Sequence, residues 1–211
     1  MHTFRSSLPI PALLASCFLA ISLSTAQSPI KPLAAPSTPQ SSSKPTAAPA
    51  PPAATPTISK AEKLEARMRV ECVKATRDLH VPVIKPAELK QIIADTNLVL
   101  IDIRQPKEQE VSMLPHALTT NEFAEKFRHG IPKDKRLVVY CTIGYRSGKY
   151  AETLVRQGIK SENLEGGILA WSFVGGELFT KDKDGSLIPT NRIHTYSKDW
   201  NLVHPDYVGV W

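Results

Sequence analysis

The stretch Val138-Val139-Tyr140-Cys141-Thr142-Ile143-Gly144-Tyr145-Arg146-Ser147-Gly148 constrains this chain more than any other. Its first residues are β-branched or aromatic and read as a buried strand. The strand ends on Cys141, the chain passes a glycine-containing turn, and a helical pattern resumes at Ser147. Such a strand–loop–helix places one thiol at the positive end of a helix, beside an arginine, under backbone N–H groups that lack intrahelical acceptors. Gly144 lets the backbone curl so that successive N–H groups face inward as an anion-binding nest. A cysteine reacts as its thiolate. The helix end and Arg146 supply positive potential for a sulfur anion, or an anionic adduct on sulfur, and attract an anionic substrate.

Around this loop, strands that are solid apolar runs alternate with helices. A short strand at 81–84 precedes a helix at 86–96, with Pro86 in its first turn. The run 98–103 is an apolar strand ending in charge, 120–127 an amphipathic helix, and 137–140 the strand that feeds the cysteine. The helix at 147–157 turns Ala151, Leu154 and Val155 inward, with Gly158 placed as its C-terminal cap. A strand remnant at 163–164 and a helix or turn at 166–176 carrying Trp171 complete the pattern. It predicts an α/β fold, a mostly parallel sheet covered by helices on both faces. Upstream, Ser59-Lys60-Ala61-Glu62 matches a capping box and opens an amphipathic helix spanning 58–79. Its apolar face is Leu64, Met68, Cys72, Ala75 and Leu79, which predicts docking on the domain that follows.

The two ends have different compositions. Residues 1–26 read as an export signal: Arg5, then a mostly apolar run, then Ser24-Thr25-Ala26 before a cleavage point at Gln27. Residues 27–57 hold nine of the chain's 18 prolines among Ala, Ser and Thr, a linker composition that cannot bury a core. The folded part is therefore expected outside the membrane of export, periplasmic or secreted in a bacterium. A lipoprotein box at Leu14-Ala15-Ser16-Cys17 and an organelle transit peptide are the alternatives, and the only membrane contact expected is an uncleaved signal segment. At the other end, Tyr196, Trp200, Tyr207 and Trp211 punctuate a loop-like extension over 179–211 that reads as a strap packed on the domain. Asp182-Lys183-Asp184-Gly185 lacks the acids of a calcium loop and reads as a β-turn.

Charge narrows the function. The 26 Lys and Arg against 20 Asp and Glu are spread along the chain without a basic run, which argues against a nucleic-acid partner. Three cysteines make no disulfide framework, and no metal or cofactor motif is present. A Walker loop fails because Tyr150 follows Gly148-Lys149, and no histidine next to Cys141 supports a Cys–His protease.

The segment from Cys141 to Gly148, a cysteine, four residues and an arginine, resembles the active-site loop of the rhodanese sulfurtransferase family. Leu100-Ile101-Asp102-Ile103-Arg104-Gln105-Pro106-Lys107-Glu108 resembles that family's upstream segment, and Leu164-Glu165-Gly166-Gly167-Ile168-Leu169-Ala170-Trp171 its closing segment. The resemblance covers residues 80–178, a single rhodanese module. It implies a thiosulfate sulfurtransferase-like enzyme that uses no cofactor: Cys141 takes a sulfane sulfur from a small anionic donor as a persulfide and passes it to an unknown thiol or protein acceptor. Thr142, Ile143, Gly144, Tyr145 and Ser147 would bind the substrate with Arg146, while Asp102 and Arg104 organise the fold near the site. The family's Gly-His-Ile-Pro-Gly-Ala segment is Ser112-Met113-Leu114-Pro115-His116-Ala117 here, with His116 in a glycine's place. Three rivals stay open: a rhodanese-fold binding module without turnover, a redox protein pairing Cys141 with Cys72, and the related phosphatase and arsenate-reductase group, whose loop is one residue longer.

Overall fold

The computed structural model describes residues 58–211; the expected signal and linker lie outside the described residues. Five strands, β1 (Val83–Ile84), β2 (Leu98–Asp102), β3 (Leu118–Thr119), β4 (Arg136–Tyr140) and β5 (Ser161–Leu164), form one sheet in the order β1-β5-β4-β2-β3. Every neighbouring pair is parallel. The helices are α1 (Lys60–Thr76), α2 (Pro86–Ile92), the single turn α3 (Pro106–Gln109), α4 (Thr120–Lys126), α5 (Tyr145–Arg156) and α6 (Gly167–Phe173).

Successive strand residues point to opposite faces, and each face has its own core. Leu100, Val138, Tyr140 and Leu164 face Met68, Leu89, Ile168 and Trp171 from α1, α2 and α6. Val99, Ile101, Leu137 and Val139 face Phe123, Ala151 and Leu154 from α4 and α5. Apolar residues at consecutive positions in β2 and β4 thus serve two cores, each buried side chain contributing about 1.5–3 kcal/mol. The sequence pattern of an α/β fold with a parallel sheet flanked on both faces is the architecture present.

Element ends moved for local reasons. The Ser59–Glu62 capping box is formed, with Glu62 N–H donating to Ser59 Oγ at 3.2 Å and Ser59 N–H to Glu62 Oε2 at 2.7 Å. Helix α1 stops at Thr76, short of the expected 79, yet Leu79 still packs tightly over Gly148. Helix α2 ends at Ile92 rather than 96, because Asp95 turns the chain by accepting the Asn97 N–H at 2.8 Å. Helix α5 closes as expected: Gly158, at φ +79, donates to Val155 and Ile159 donates back to Leu154, a Schellman motif.

The extension carries more regular structure than its composition suggests. Strands β6 (Phe179–Lys181) and β7 (Leu187–Pro189) form a hairpin, and β8 (Arg192–His194) pairs in parallel with β9 (Val208–Val210). The Asp182 side chain accepts from the N–H groups of Asp184 and Ser186, making the turn of that hairpin. Ile193, Leu202 and Val203 enter the first core, so the extension is part of the domain. Their irregular spacing left no periodic signal to read.

Candidate active site

Cys141 is buried at the C-terminal end of β4. The loop after it is built by tying its carbonyls backward. Ile168 N–H donates to the Cys141 carbonyl at 2.9 Å and Leu169 N–H to that of Thr142 at 3.2 Å, both from the first turn of α6. The Gly144 carbonyl accepts from Asn163 Nδ2 at 2.9 Å and from Gly148 N–H at 3.0 Å. The N–H groups of residues 142–147 have no hydrogen-bond partner among the described residues. A row of unpaired donors beside a buried sulfur is an anion cradle.

Helix α5 begins at Tyr145, two residues earlier than expected, because Gly144 reaches φ +89 and acts as its N-cap. This correction sets Arg146 in the first turn of α5. Its guanidinium is not free: Nη1 donates to Glu108 Oε2 at 2.8 Å and Nη2 to Glu108 Oε1 at 2.7 Å. Thr142 Oγ1 donates to the same carboxylate at 2.9 Å. Glu108 is fully buried at the end of α3. Burial pushes its carboxyl up, but hydrogen bonds from Arg146, the Gln105 N–H and Thr142, with the Arg146 charge, outweigh it and lower it to about 2. The Glu108 hydrogen bonds in turn raise Arg146 above its ordinary value.

Ser147 Oγ lies 3.4 Å from Cys141 Sγ and 2.7 Å from Asn163 Oδ1. Because Asn163 gives its amide N–H to Gly144, its oxygen faces Ser147. One hydroxyl proton cannot serve both neighbours. With a neutral thiol it goes to Asn163 and Ser147 accepts from the S–H; with a thiolate it can rotate to the sulfur.

Behind the loop, Asp102 and Arg104 are both buried and joined by paired bonds, including Nη2 to Oδ2 at 2.7 Å. Burial disfavours the Arg104 charge, and Asp102 more than restores it. Tyr140 donates to Asp102 Oδ2 at 2.7 Å and accepts the Leu114 N–H at 3.1 Å, and Arg104 Nη2 reaches the Ser112 carbonyl. Burial, then the Asp102 charge, pushes the Tyr140 phenol well above its ordinary range. The network fastens residues 112–114 to the floor of the site. His116 is exposed and takes φ +58, the left-handed region a glycine would favour, so the turn keeps that backbone form.

Cys72 lies in the first core, and both it and Cys141 are free. Burial, then the Cys141 charge, pushes the Cys72 thiol up to about 12. A thiol so suppressed is a poor nucleophile at neutral pH.

Thr142, Ile143, Tyr145 and Arg146 border a cleft of about 300 Å³ closed by Tyr196 and Trp200 of the extension. Sequence reasoning identified the loop residues but missed Glu108 and Asn163 as its organisers. The signals were the place of Glu108 at the end of the family-like upstream segment, three positions after Gln105, and Asn163, a polar residue in a strand that ought to be apolar.

The fold and site define a parallel α/β domain with a buried thiol and an anion cradle at the C-terminal end of its central strand. Residues 85–173 match the model of the rhodanese-like domain. A putative sulfurtransferase, YtwF, of Bacillus subtilis (strain 168) is 40% identical over 91 residues, which cover 42% of this chain and 87% of that protein. A sulfurtransferase of Allochromatium vinosum is 41% identical over 87 residues, covering 40% of this chain and 81% of that protein. Among solved structures, a rhodanese-related protein from Thermoplasma volcanium is 27% identical, with a TM-score of 0.40 over 46% of this chain and 96% of its own. The chain belongs to the rhodanese-like family.

Proposed function

We propose that this protein is a sulfurtransferase that carries sulfane sulfur on Cys141, with thiosulfate a competent donor. The observation that supports this most is the cradle: a buried thiol with a row of unpaired N–H donors beside it and every tied carbonyl directed away. The Cys141 thiolate attacks the outer sulfur of thiosulfate. A new S–S bond forms, the old one breaks, and sulfite leaves with the electron pair. The persulfide carries the negative charge on its outer sulfur, where the loop N–H groups stabilise it. A thiophilic acceptor then attacks that sulfur and returns the Cys141 thiolate, a ping-pong cycle with no net redox change.

Arg146 serves mainly to hold the cradle's shape, since Glu108 already compensates its charge. The suppressed Cys72 thiol favours this reading over a Cys72–Cys141 redox couple. The acceptor is a thiol or a protein, and the chain works after export through residues 1–26; cell fractionation with and without that segment tests the location.

Thiosulfate and cyanide given to the full chain should yield thiocyanate, and the Cys141→Ser variant should yield none. Equal rates from the two proteins would overturn the proposal.

A further inference from the structure

The family match ends at residue 173, and most of another cavity is built from the residues after it. This cavity, of about 370 Å³, shares no lining residue with the cleft at the loop. Its size falls in the range of small-molecule sites, roughly 300–1,000 Å³. One side is the chain leaving α6, and the other is the extension, which brings His204, Asp206 and Tyr207.

Three rings border it. His204 stands nearly perpendicular to both Phe173 and Tyr207, at 88° and 84°, with centroids 5.5 and 6.5 Å away. Backbone contacts fix the corner they make. His204 N–H donates to the buried Ser172 Oγ at 3.0 Å, and Tyr207 donates its hydroxyl to the Gly176 carbonyl at 2.7 Å. Aromatic faces are negative, so rings held at right angles beside a cavity attract a cation.

The charges agree with the rings. Glu177 and Asp206 are exposed at the rim, and among the described residues no lysine or arginine lines the cavity or pairs with either carboxylate. His204 Nδ1 accepts the Asp206 N–H at 3.3 Å, so it has no proton to give that carboxylate. Lys90 is turned instead to the carbonyls of Val174 and Gly175, at 2.5 and 3.0 Å. Burial, then the charges of Asp206 and Glu177, push the Tyr207 phenol above its ordinary value, which registers the negative field.

Hydrogen-bond acceptors are less available than charge. The carbonyls of Gly176, Glu177 and Leu178 already accept from Tyr207 Oη, Trp171 Nε1 and Thr190 N–H. A primary ammonium entering the cavity would give up water and leave N–H donors unpaired. An ammonium carrying methyl groups in place of those hydrogens has none to satisfy, and its methyls can rest on the rings.

We propose that this cavity binds a small quaternary ammonium cation of the trimethylammonium type, with Phe173, His204 and Tyr207 as walls and Glu177 and Asp206 supplying the opposite charge. The site uses neither Cys141 nor sulfur transfer, so it stands or falls separately from the function proposed above.

Calorimetric titration of the full chain with choline, with its uncharged carbon isostere neohexyl alcohol, and with ethanolamine tests the assignment. Choline should bind at least tenfold more tightly than either of the others. Tyr207→Leu should weaken choline binding at least tenfold, whereas Tyr207→Phe, which keeps the ring, should weaken it less than threefold. Replacing both exposed acids, Glu177→Gln with Asp206→Asn, should weaken it at least threefold while thermal unfolding stays unchanged, and this arm decides the matter if Tyr207→Leu does not fold. No saturable choline binding, equal binding of the isostere or of ethanolamine, or a choline affinity unchanged by removing both acids overturns the assignment. Loss of choline binding in Tyr196→Ala would move it to the aromatic cleft at the loop and overturn the assignment equally.

Discussion

Glu108 grips Arg146 through both carboxylate oxygens, at 2.7 and 2.8 Å, across 38 positions of sequence. The pair joins α3 to the first turn of α5, and Thr142 adds a third bond from the loop itself. Glu108→Gln keeps the size but removes the charge, so the fork onto Arg146 loses its charge-assisted bonds. The expected cost is about 2–3 kcal/mol of stability, the range for hydrogen bonds to charged groups. Sulfur-transfer activity should fall at least tenfold because the cradle loosens. Denaturant midpoints and thiocyanate rates measure the two, and a double-mutant cycle with Arg146→Met should show coupling between the positions.

The same carboxylate makes stability pH-dependent. Glu108 sits at about 2 in the folded protein against an ordinary 4.5. A carboxyl lowered on folding contributes stability that is fully present above its unfolded value and is lost as pH falls through the folded one. The contribution here is on the order of 3 kcal/mol. Thermal unfolding should therefore be insensitive to this group above about pH 5 and fall steadily between about pH 4.5 and pH 2. Glu108→Gln should flatten that part of the profile.

Gly167 fixes how closely α6 approaches the loop. Its φ is +58, and a Cβ there would lie 2.3 Å from the Cys141 carbonyl oxygen and 2.7 Å from that of Thr142. Both obstacles are backbone, which cannot swing aside. Gly167→Ala should displace the loop and break the Ile168 and Leu169 bonds, with a loss of roughly 2–4 kcal/mol from strain and lost hydrogen bonds together. Chemical denaturation measures the loss, and sulfur transfer should decline even at temperatures where the variant remains folded.

Ser147 and Asn163 form a small proton device beside the sulfur. Ser147→Ala removes the one side-chain hydroxyl, among the described residues, that hydrogen-bonds Cys141 Sγ, at 3.4 Å. Without its hydrogen bond to the charged sulfur, kcat/KM should drop about 10- to 100-fold, the equivalent of one such bond. Asn163→Ala frees the hydroxyl proton for sulfur but unties the Gly144 carbonyl. It should impair stability more than Ser147→Ala does, which thermal unfolding of the pair would reveal.

The sheet and the loop were legible because their signals are contiguous. Leu98–Ile101 and Leu137–Tyr140 are apolar or aromatic on consecutive positions, as a strand covered on both faces requires. Cys141, Gly144, Arg146 and Ser147 fall within one turn of chain. The partners that shape the loop were not legible, because they meet it only through folding. Glu108 comes from 34 positions before Thr142, Asn163 from 19 after Gly144, and Tyr196 from an extension whose apolar residues have no period. The start of α5 was misplaced for a related reason. A left-handed Gly144 caps a helix without a side-chain hydrogen bond, so no capping residue announced it.

Sulfur held on Cys141 is the claim on which the functional account stands, and intact-protein and peptide mass spectrometry address it without any assumption about the acceptor. Protein treated with excess thiosulfate, desalted and digested without reductant should show the Cys141 peptide heavier by one sulfur atom. Brief exposure to cyanide should remove that atom, and the Cys72 peptide should be unmodified throughout. An unmodified Cys141 peptide after donor treatment, or sulfur gained equally by Cys72 and Cys141, would contradict sulfur transfer through this loop.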